Sequence, residues 1–132
     1  MNRPIILLAS NSPRRKELVQ QMGFESVFVA NDFEENYPEK IKNSDVPLYL
    51  AREKSNNVKI NIDSGQVLLT ADTIVLNQDI ILEKPTCVSE GLKMLKSLSG
   101  KTHQVITGVS LRSKYESLEI RSITEVLFSI KK

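Results

Sequence analysis

Cysteine is almost absent from this chain. Cys87 stands alone, so no intrachain disulfide can form, and the composition suits a reducing compartment. Histidine is equally scarce: His103 is the single imidazole, which leaves little for a histidine-based metal centre or a Cys–His nucleophile pair. Tryptophan is missing and aromatics make up only 5% of residues. No apolar run approaches the roughly 20 residues a membrane helix needs, and the N-terminus shows neither the long apolar core nor the cleavage site of a signal peptide. Charge of one sign is also lacking. A net charge of +2 is too small to attract nucleic acid or a membrane surface through bulk electrostatics. A cytoplasmic protein without nucleic-acid or membrane partners is expected. What remains is ordinary: 132 residues, 40% apolar and 26% charged, enough for one domain with a real core. There are no internal repeats or low-complexity linkers, so residues 1–132 read as a single domain.

The most informative stretch is Leu7 to Leu18. Ile5 to Ala9 reads as a buried strand that ends in a short polar turn. Ser12 is a good helix N-cap, because its hydroxyl can accept from a free N–H of the first turn. Pro13 suits the first helical position, where a missing N–H costs nothing. The helix runs to Met22, with Leu18, Val19 and Met22 as its buried face and Gly23 as its stop. Arg14, Arg15 and Lys16 fall in the first turn, where the dipole prefers anions. A bound phosphate would resolve that conflict; a solvated basic turn is the plainer alternative.

Phe24 to Ala30 is β-rich and reads as a second strand, followed by an acidic loop in which Glu34 and Glu35 are candidate ligands for a hard cation. Ser44 or Asp45 caps a second helix, with Pro47 in its first turn, running to about Ile60 and carrying Arg52 and Lys54. Gly65 marks a turn. Val67 to Leu76 is an apolar strand with Ala71-Asp72-Thr73 in its middle. A carboxylate there is costly to bury without a partner, so Asp72 is expected at a bulge or strand end, facing a cation, a metal or water. Such a site suits a general base or a metal ligand. Ile80 to Leu82 forms a hairpin partner, and Lys84 leaves it toward a cleft. Ser89 to Leu98 is helical, with Leu92, Leu95 and Leu98 on one face. Gln104 to Leu111 alternates as a strand in which Gly108 signals a bulge or a close backbone approach. Ser117 to Ile130 is a further β run, antiparallel to it through a turn at 113–116.

Four segments together resemble the Maf family of nucleotide pyrophosphatases. They are Leu8-Ala9-Ser10-Asn11-Ser12-Pro13-Arg14-Arg15-Lys16-Glu17-Leu18, Ala51-Arg52-Glu53-Lys54, Thr70-Ala71-Asp72-Thr73-Ile74-Val75, and Lys84-Pro85 followed by Met94 to Val109. The resemblance spans essentially the whole chain. It implies an α/β fold: a mixed, twisted sheet with flanking helices and a cleft at the strand ends, similar to the inosine triphosphatases. It also implies a hydrolase that cuts nucleoside triphosphates into the monophosphate and pyrophosphate, with Mg²⁺ or Mn²⁺ as cofactor. The Ala-Asp-Thr form resembles the branch acting on dTTP and UTP, extending to modified pyrimidine triphosphates. By this likeness Asp72 is the general base, and Arg14 and Thr73 set base preference. Ser12, Arg15, Lys54 and Lys84 face phosphate, and Glu35 with Asp72 holds the metal.

The sequence departs from the family pattern in two places. Glu83 stands beside Lys84 where the family usually has Gly. Family members also run well past Lys132, through a segment of the type Asp-Lys-Ala-Gly-x-Tyr-Gly-x-Gln, so the base-side wall is expected to be incomplete. Strands left uncovered would expose apolar surface, which association into a homodimer could bury. Two alternatives stand beside the enzyme: a catalytically impaired nucleotide-binding remnant of the family, and a cell-division regulatory protein.

Overall fold

The computed structural model describes residues 3–10, 12–31, 36–78, 80–82, 87–98 and 101–128. Strand β1 (Ile5–Leu8) leads through helix α1 (Pro13–Gln21) to β2 (Ser26–Phe28). A 3₁₀ turn at Asn43–Asp45 enters helix α2 (Val46–Asn57). Then follow β3 (Gln66–Asn77), β4 (Ile80–Leu82), α3 (Val88–Leu98), β5 (Lys101–Arg112) and β6 (Ser117–Phe128). The strands form one mixed sheet in the order β2-β1-β3-β5-β6, with β4 paired to β3 outside this path. β1 is parallel to β2 and β3, whereas β5 is antiparallel to both β3 and β6, and β4 is antiparallel to β3. The expected mixed α/β sheet with flanking helices is therefore the observed architecture.

The two faces of the sheet bury different partners because strand side chains alternate. Ile6 and Leu8 face α1 and pack with Val19, while Leu7, Ala9 and Leu68 pack with Val58 at the end of α2. A third cluster joins Val46 and Leu50 of α2 to Ile74, Leu76 and Ile106 of β3 and β5. Each cluster is small, and together they sandwich the sheet between helices.

Several local expectations hold. Ser12 caps α1 by accepting from the Arg15 N–H, Pro13 opens the helix, and Gly23 follows it at φ 83°. Gly65 turns into β3 at φ 85°. The hairpin of β5 and β6 closes at Ser113 N–H to Glu116 C=O, 2.8 Å. Gly108 is a close approach, not a bulge: a Cβ there would lie 2.4 Å from the Leu48 backbone nitrogen, where α2 crosses the sheet.

Others do not hold. Of the expected buried face of α1 only Val19 is buried, packed on Ile6 and Leu8 of β1; Leu18 and Met22 are exposed. β2 is only three residues long, and α2 stops at Asn57, where Val58 turns extended to enter the core. Leu92 is exposed on α3. The expected bulge at Asp72 is absent: β3 runs unbroken through it, and its register with β5 is continuous from Leu68↔Arg112 to Leu76↔Gln104.

Candidate active site

Asp72 lies within an unbroken strand and is reached from the edge of β3 opposite β5. There β1 pairs only with Gln66 to Leu69, and β4 only with Val75 to Asn77. Among the described residues, Thr70 to Ile74 have no strand partner on that side. The gap lies at the carboxyl end of β1, at the point where the neighbour of β3 changes from a parallel to an antiparallel strand. Ligands of open α/β sheets bind in crevices outside the carboxyl ends of strands. The cleft thus lies at a strand end, as expected, but it continues along the side of β3. Its volume is about 850 Å³.

Alternation along β3 sends neighbouring residues to opposite faces of the sheet. Thr70 and Asp72 point toward α2. The Thr70 hydroxyl, fully buried, donates to the Ala51 carbonyl at 2.6 Å. One helical turn further along α2, the Lys54 ammonium reaches Oδ1 of Asp72 at 3.0 Å, with both side chains largely buried. The two contacts are successive rungs between strand and helix, and the first fixes the height at which the second is made. Arg112 adds a third tie, donating from Nη2 to the Ser55 carbonyl at 2.7 Å.

On the α1 face the Arg15 guanidinium fills the opening. Nη1 donates to Ser10 Oγ at 3.1 Å and to the Ala71 carbonyl at 3.2 Å, and Nη2 donates to Thr73 Oγ1 at 3.4 Å. Thr73 Oγ1 also shares a hydrogen bond with Thr107 Oγ1 at 3.0 Å. Ser10 Oγ further accepts from the Ser12 N–H at 3.2 Å, so one hydroxyl braces both the turn and the guanidinium. The basic first turn of α1 is therefore resolved locally: Arg15 satisfies a free carbonyl of β3, while Arg14 and Lys16 are exposed. A rigid fork of donors suits this bridging, and it leaves a positive charge at the mouth of the cleft.

Of the site residues expected from the sequence, the structure brings together Ser12, Arg15, Lys54, Asp72 and Thr73, all of which line the cleft. Arg14 lies outside that lining. Glu34, Glu35, Glu83 and Lys84 lie outside the described residues. Two polar residues of the cleft had no signal in the sequence reading. One is Ser10, two residues before the helix cap. The other is Asn31, whose Nδ2 lies 3.5 Å from the Lys54 carbonyl and whose Oδ1 accepts from Asn57 at 3.2 Å. The remainder of the lining is apolar, from Tyr37, Val46, Leu50, Ile81 and Leu82.

Among the described residues there is no cluster of three or more His, Cys, Asp or Glu that could cage a metal. Asp72 is the one described carboxylate in the cleft lining. That donor set fits a hard cation held through one or two carboxylates, with the remaining positions filled by substrate oxygens and water. Arg52, on the same helix as Lys54, faces away from the cleft. It forms a two-pronged pair with Glu119 of β6 at 2.5 and 2.7 Å. The hydrogen bond from Arg52 holds the Glu119 carboxyl below the usual carboxylate range.

The sequence model of the family described as Maf-like protein matches residues 5–131. A dTTP/UTP pyrophosphatase of Bacteroides fragilis (strain ATCC 25285) is 42% identical over 131 residues, covering 98% of this chain and 68% of that protein. The dTTP/UTP pyrophosphatase of Phocaeicola vulgatus is 42% identical over 94% of this chain and 65% of its own length. That of Bacillus mycoides is 43% identical over 93% and 64%. The chain therefore spans about two thirds of the length of these relatives. Among solved structures, the Staphylococcus aureus Ham1 protein superposes with a TM-score of 0.63 at 14% identity, covering 92% of this chain and 70% of that one. A nucleoside-triphosphatase, or dITP/XTP pyrophosphatase, from Mycobacterium abscessus gives 0.56 at 15%, covering 92% and 72%. At such identities the two structures establish the shared fold alone.

Proposed function

Because the chain belongs to the Maf-like protein family, we propose that its cleft hydrolyses nucleoside triphosphates, dTTP and UTP foremost, to the monophosphate and pyrophosphate. The observation that carries this reading is the placement of Lys54 and Asp72 in contact on one side of the cleft, with Arg15 on the other. The volume, about 850 Å³, is in the range of small-molecule sites and accommodates a nucleotide.

The reaction places new negative charge on the departing pyrophosphate. Cations fixed in a partly dry cleft stabilise that charge more than water does, because they need not reorganise as it forms. Arg15 is held by three acceptors and needs no further ordering to act so. Lys54, in contact with Asp72, is the group that an incoming phosphate oxygen would share. Asp72 then accepts a proton from water as the water attacks the α-phosphorus; the bond from that phosphorus to the α–β bridging oxygen breaks, and pyrophosphate leaves with the new negative charge. A divalent cation, when bound, neutralises phosphate charge, and Asp72 with Glu35 would hold it. Thr73, braced by Arg15 and Thr107, and Arg14 are the proposed base-preference positions, and Ser12 and Lys84 the further phosphate contacts. The setting we propose is the cytoplasm, where the exposed thiol of Cys87 stays reduced.

The test is a panel of nucleoside triphosphates with Mg²⁺ or Mn²⁺, with products separated by ion exchange. Monophosphate and pyrophosphate in equal amounts are expected, with pyrimidine triphosphates turned over fastest. Diphosphate with orthophosphate, or no turnover of any nucleotide by a folded sample, would overturn the proposal.

A further inference from the structure

β6 is the outermost strand of the sheet, and its inner edge is completely occupied. It pairs with β5 residue for residue, from Lys101↔Phe128 to Arg112↔Ser117, without a bulge. Among the described residues no strand pairs with its outer edge. Natural edge strands are usually protected by being short, by charged side chains, Lys above all, by Pro or by a bulge. β6 is twelve residues long, contains neither Pro nor Lys, and carries charge only at Glu119, Arg121 and Glu125. It also carries Leu118, Ile120, Ile123 and Leu127, all 46–68% exposed. A strand of this kind is a template for another strand.

We propose that β6 is a self-association surface, through which two copies of this chain join edge to edge and antiparallel, with Ile123 on the two-fold axis. An axis normal to the sheet keeps each face on its own side, so only residues of the same face stand opposite one another. Glu119 and Arg121 lie on the α2 face, since they contact Arg52 and Asp45, and alternation places Glu125 there as well. With Ile123 on the axis, Arg121 of each copy stands opposite Glu125 of the other, twice. Ser122 meets Thr124, Ile120 meets Val126, and Ile123 meets its own copy. Glu119 falls opposite Leu127, the one mixed pair, and keeps Arg52 as its partner. The neighbouring registers are worse. Centring on Ser122 sets Glu119 against Glu125, like charge against like. Centring on Thr124 sets Ile123 against Glu125 and Arg121 against Leu127. Cross-strand pairs are the unit of sheet stabilisation, and like charges directly opposite are unfavourable. The strand's pattern is thus complementary to its own reverse in one register, which identifies the second copy as the occupant.

The test is light scattering coupled to size exclusion on the full chain, with Arg121→Glu and Glu125→Arg made separately. The wild type is expected to be a dimer. Each variant alone places like charges opposite each other at two symmetric positions and should weaken the dimer at least about tenfold. In an equimolar mixture one chain is acidic at both positions and the other basic at both, so a heterodimer should re-form. Its recovery also shows that both variants are folded. Ile123→Lys, which sets two ammonium groups on the axis, should be monomeric with an unchanged circular dichroism spectrum. A wild-type monomer overturns the proposal, as do single variants that dimerise as well as the wild type, or a mixture that fails to re-form.

Discussion

Replacing Gly108 by alanine is the sharpest perturbation of this structure. Gly108 lies directly opposite Asp72 across the β3–β5 ladder, and the N-terminal turn of α2 crosses its Cα. The new methyl group would be 2.4 Å from the Leu48 nitrogen and 2.5 Å from both the Leu48 Cα and the Pro47 carbonyl carbon. These are backbone atoms and cannot rotate away. To reach the 3.0–3.4 Å at which a Cβ contact becomes tolerable, α2 must lift by roughly 0.6–1 Å. Overpacking of this kind costs about 2–3 kcal/mol, or about 6–12 °C of melting temperature for a domain of this size. The lift is not uniform along the helix. Thr70 and Arg112 hold the far end through the Ala51 and Ser55 carbonyls, so α2 tilts about that end and Lys54 moves less than Leu48. A full 1 Å misplacement of a reacting group can cost about a hundredfold in rate; a fraction of it should cost up to about tenfold here. Calorimetry and turnover of dTTP at a temperature where the variant is folded measure the two effects. Gly65→Ala is the control: nothing lies within 4 Å of its Cβ, so it should lose only the ~1–2 kcal/mol of a left-handed φ and keep full activity. A melting temperature for Gly108→Ala within about 2 °C of wild type would show that α2 is not seated on the sheet as described.

Asp72→Asn keeps the shape of the side chain but removes the proton acceptor, and turnover should fall at least about a hundredfold, while nucleotide affinity by calorimetric titration without the divalent cation stays within a few-fold. Arg15→Lys keeps the charge but cannot bridge Ser10, Ala71 and Thr73 together, so kcat/KM should fall about tenfold or more; a wild-type value would remove the fork from the mechanism. Glu119→Gln addresses the Arg52 pair. The Glu119 carboxyl is held below its usual range, so its stabilisation is present above the ordinary carboxylate pKa and lost as pH falls through the lowered value. The pair is partly exposed, with side chains 47% and 31% accessible, so the difference at pH 7 should be below about 1 kcal/mol and should vanish in acid. A difference that grows on acidification would contradict that sign.

Much of the local structure was legible because it depends on near neighbours. Ser12, Pro13 and Gly23 bound α1 by cap chemistry that operates within a few residues, and Gly108 was recognisable as either a bulge or a close backbone approach, of which the second is observed. The errors concern partners distant in sequence. Leu18 and Met22 carry a helical period, but whether that face is covered depends on what lies beside α1. Asp72 was expected at a bulge because an isolated strand offers no other route to solvent; the actual route is made by β1 ending and β4 beginning on the same edge. Resemblance alone linked Lys54 to Asp72, since eighteen residues separate them and helical periodicity does not say which turn meets the strand. Ser10 and Asn31 escaped notice because a small polar residue in a turn carries no pattern.

The gap on the edge of β3 also bears on how this site can change. Its walls are not side chains but the places where two strands stop. Thr70 to Ile74 span roughly 17 Å of backbone, and the length of that window is set by how far β1 and β4 run along it. Lengthening β1 by two residues would cover Thr70 and Ala71 and narrow the window to Asp72 through Ile74, and shortening β4 would lengthen it toward larger substrates. Strand length is therefore an aperture control, adjustable by insertion and deletion while the chemistry of Arg15, Lys54 and Asp72 stays fixed.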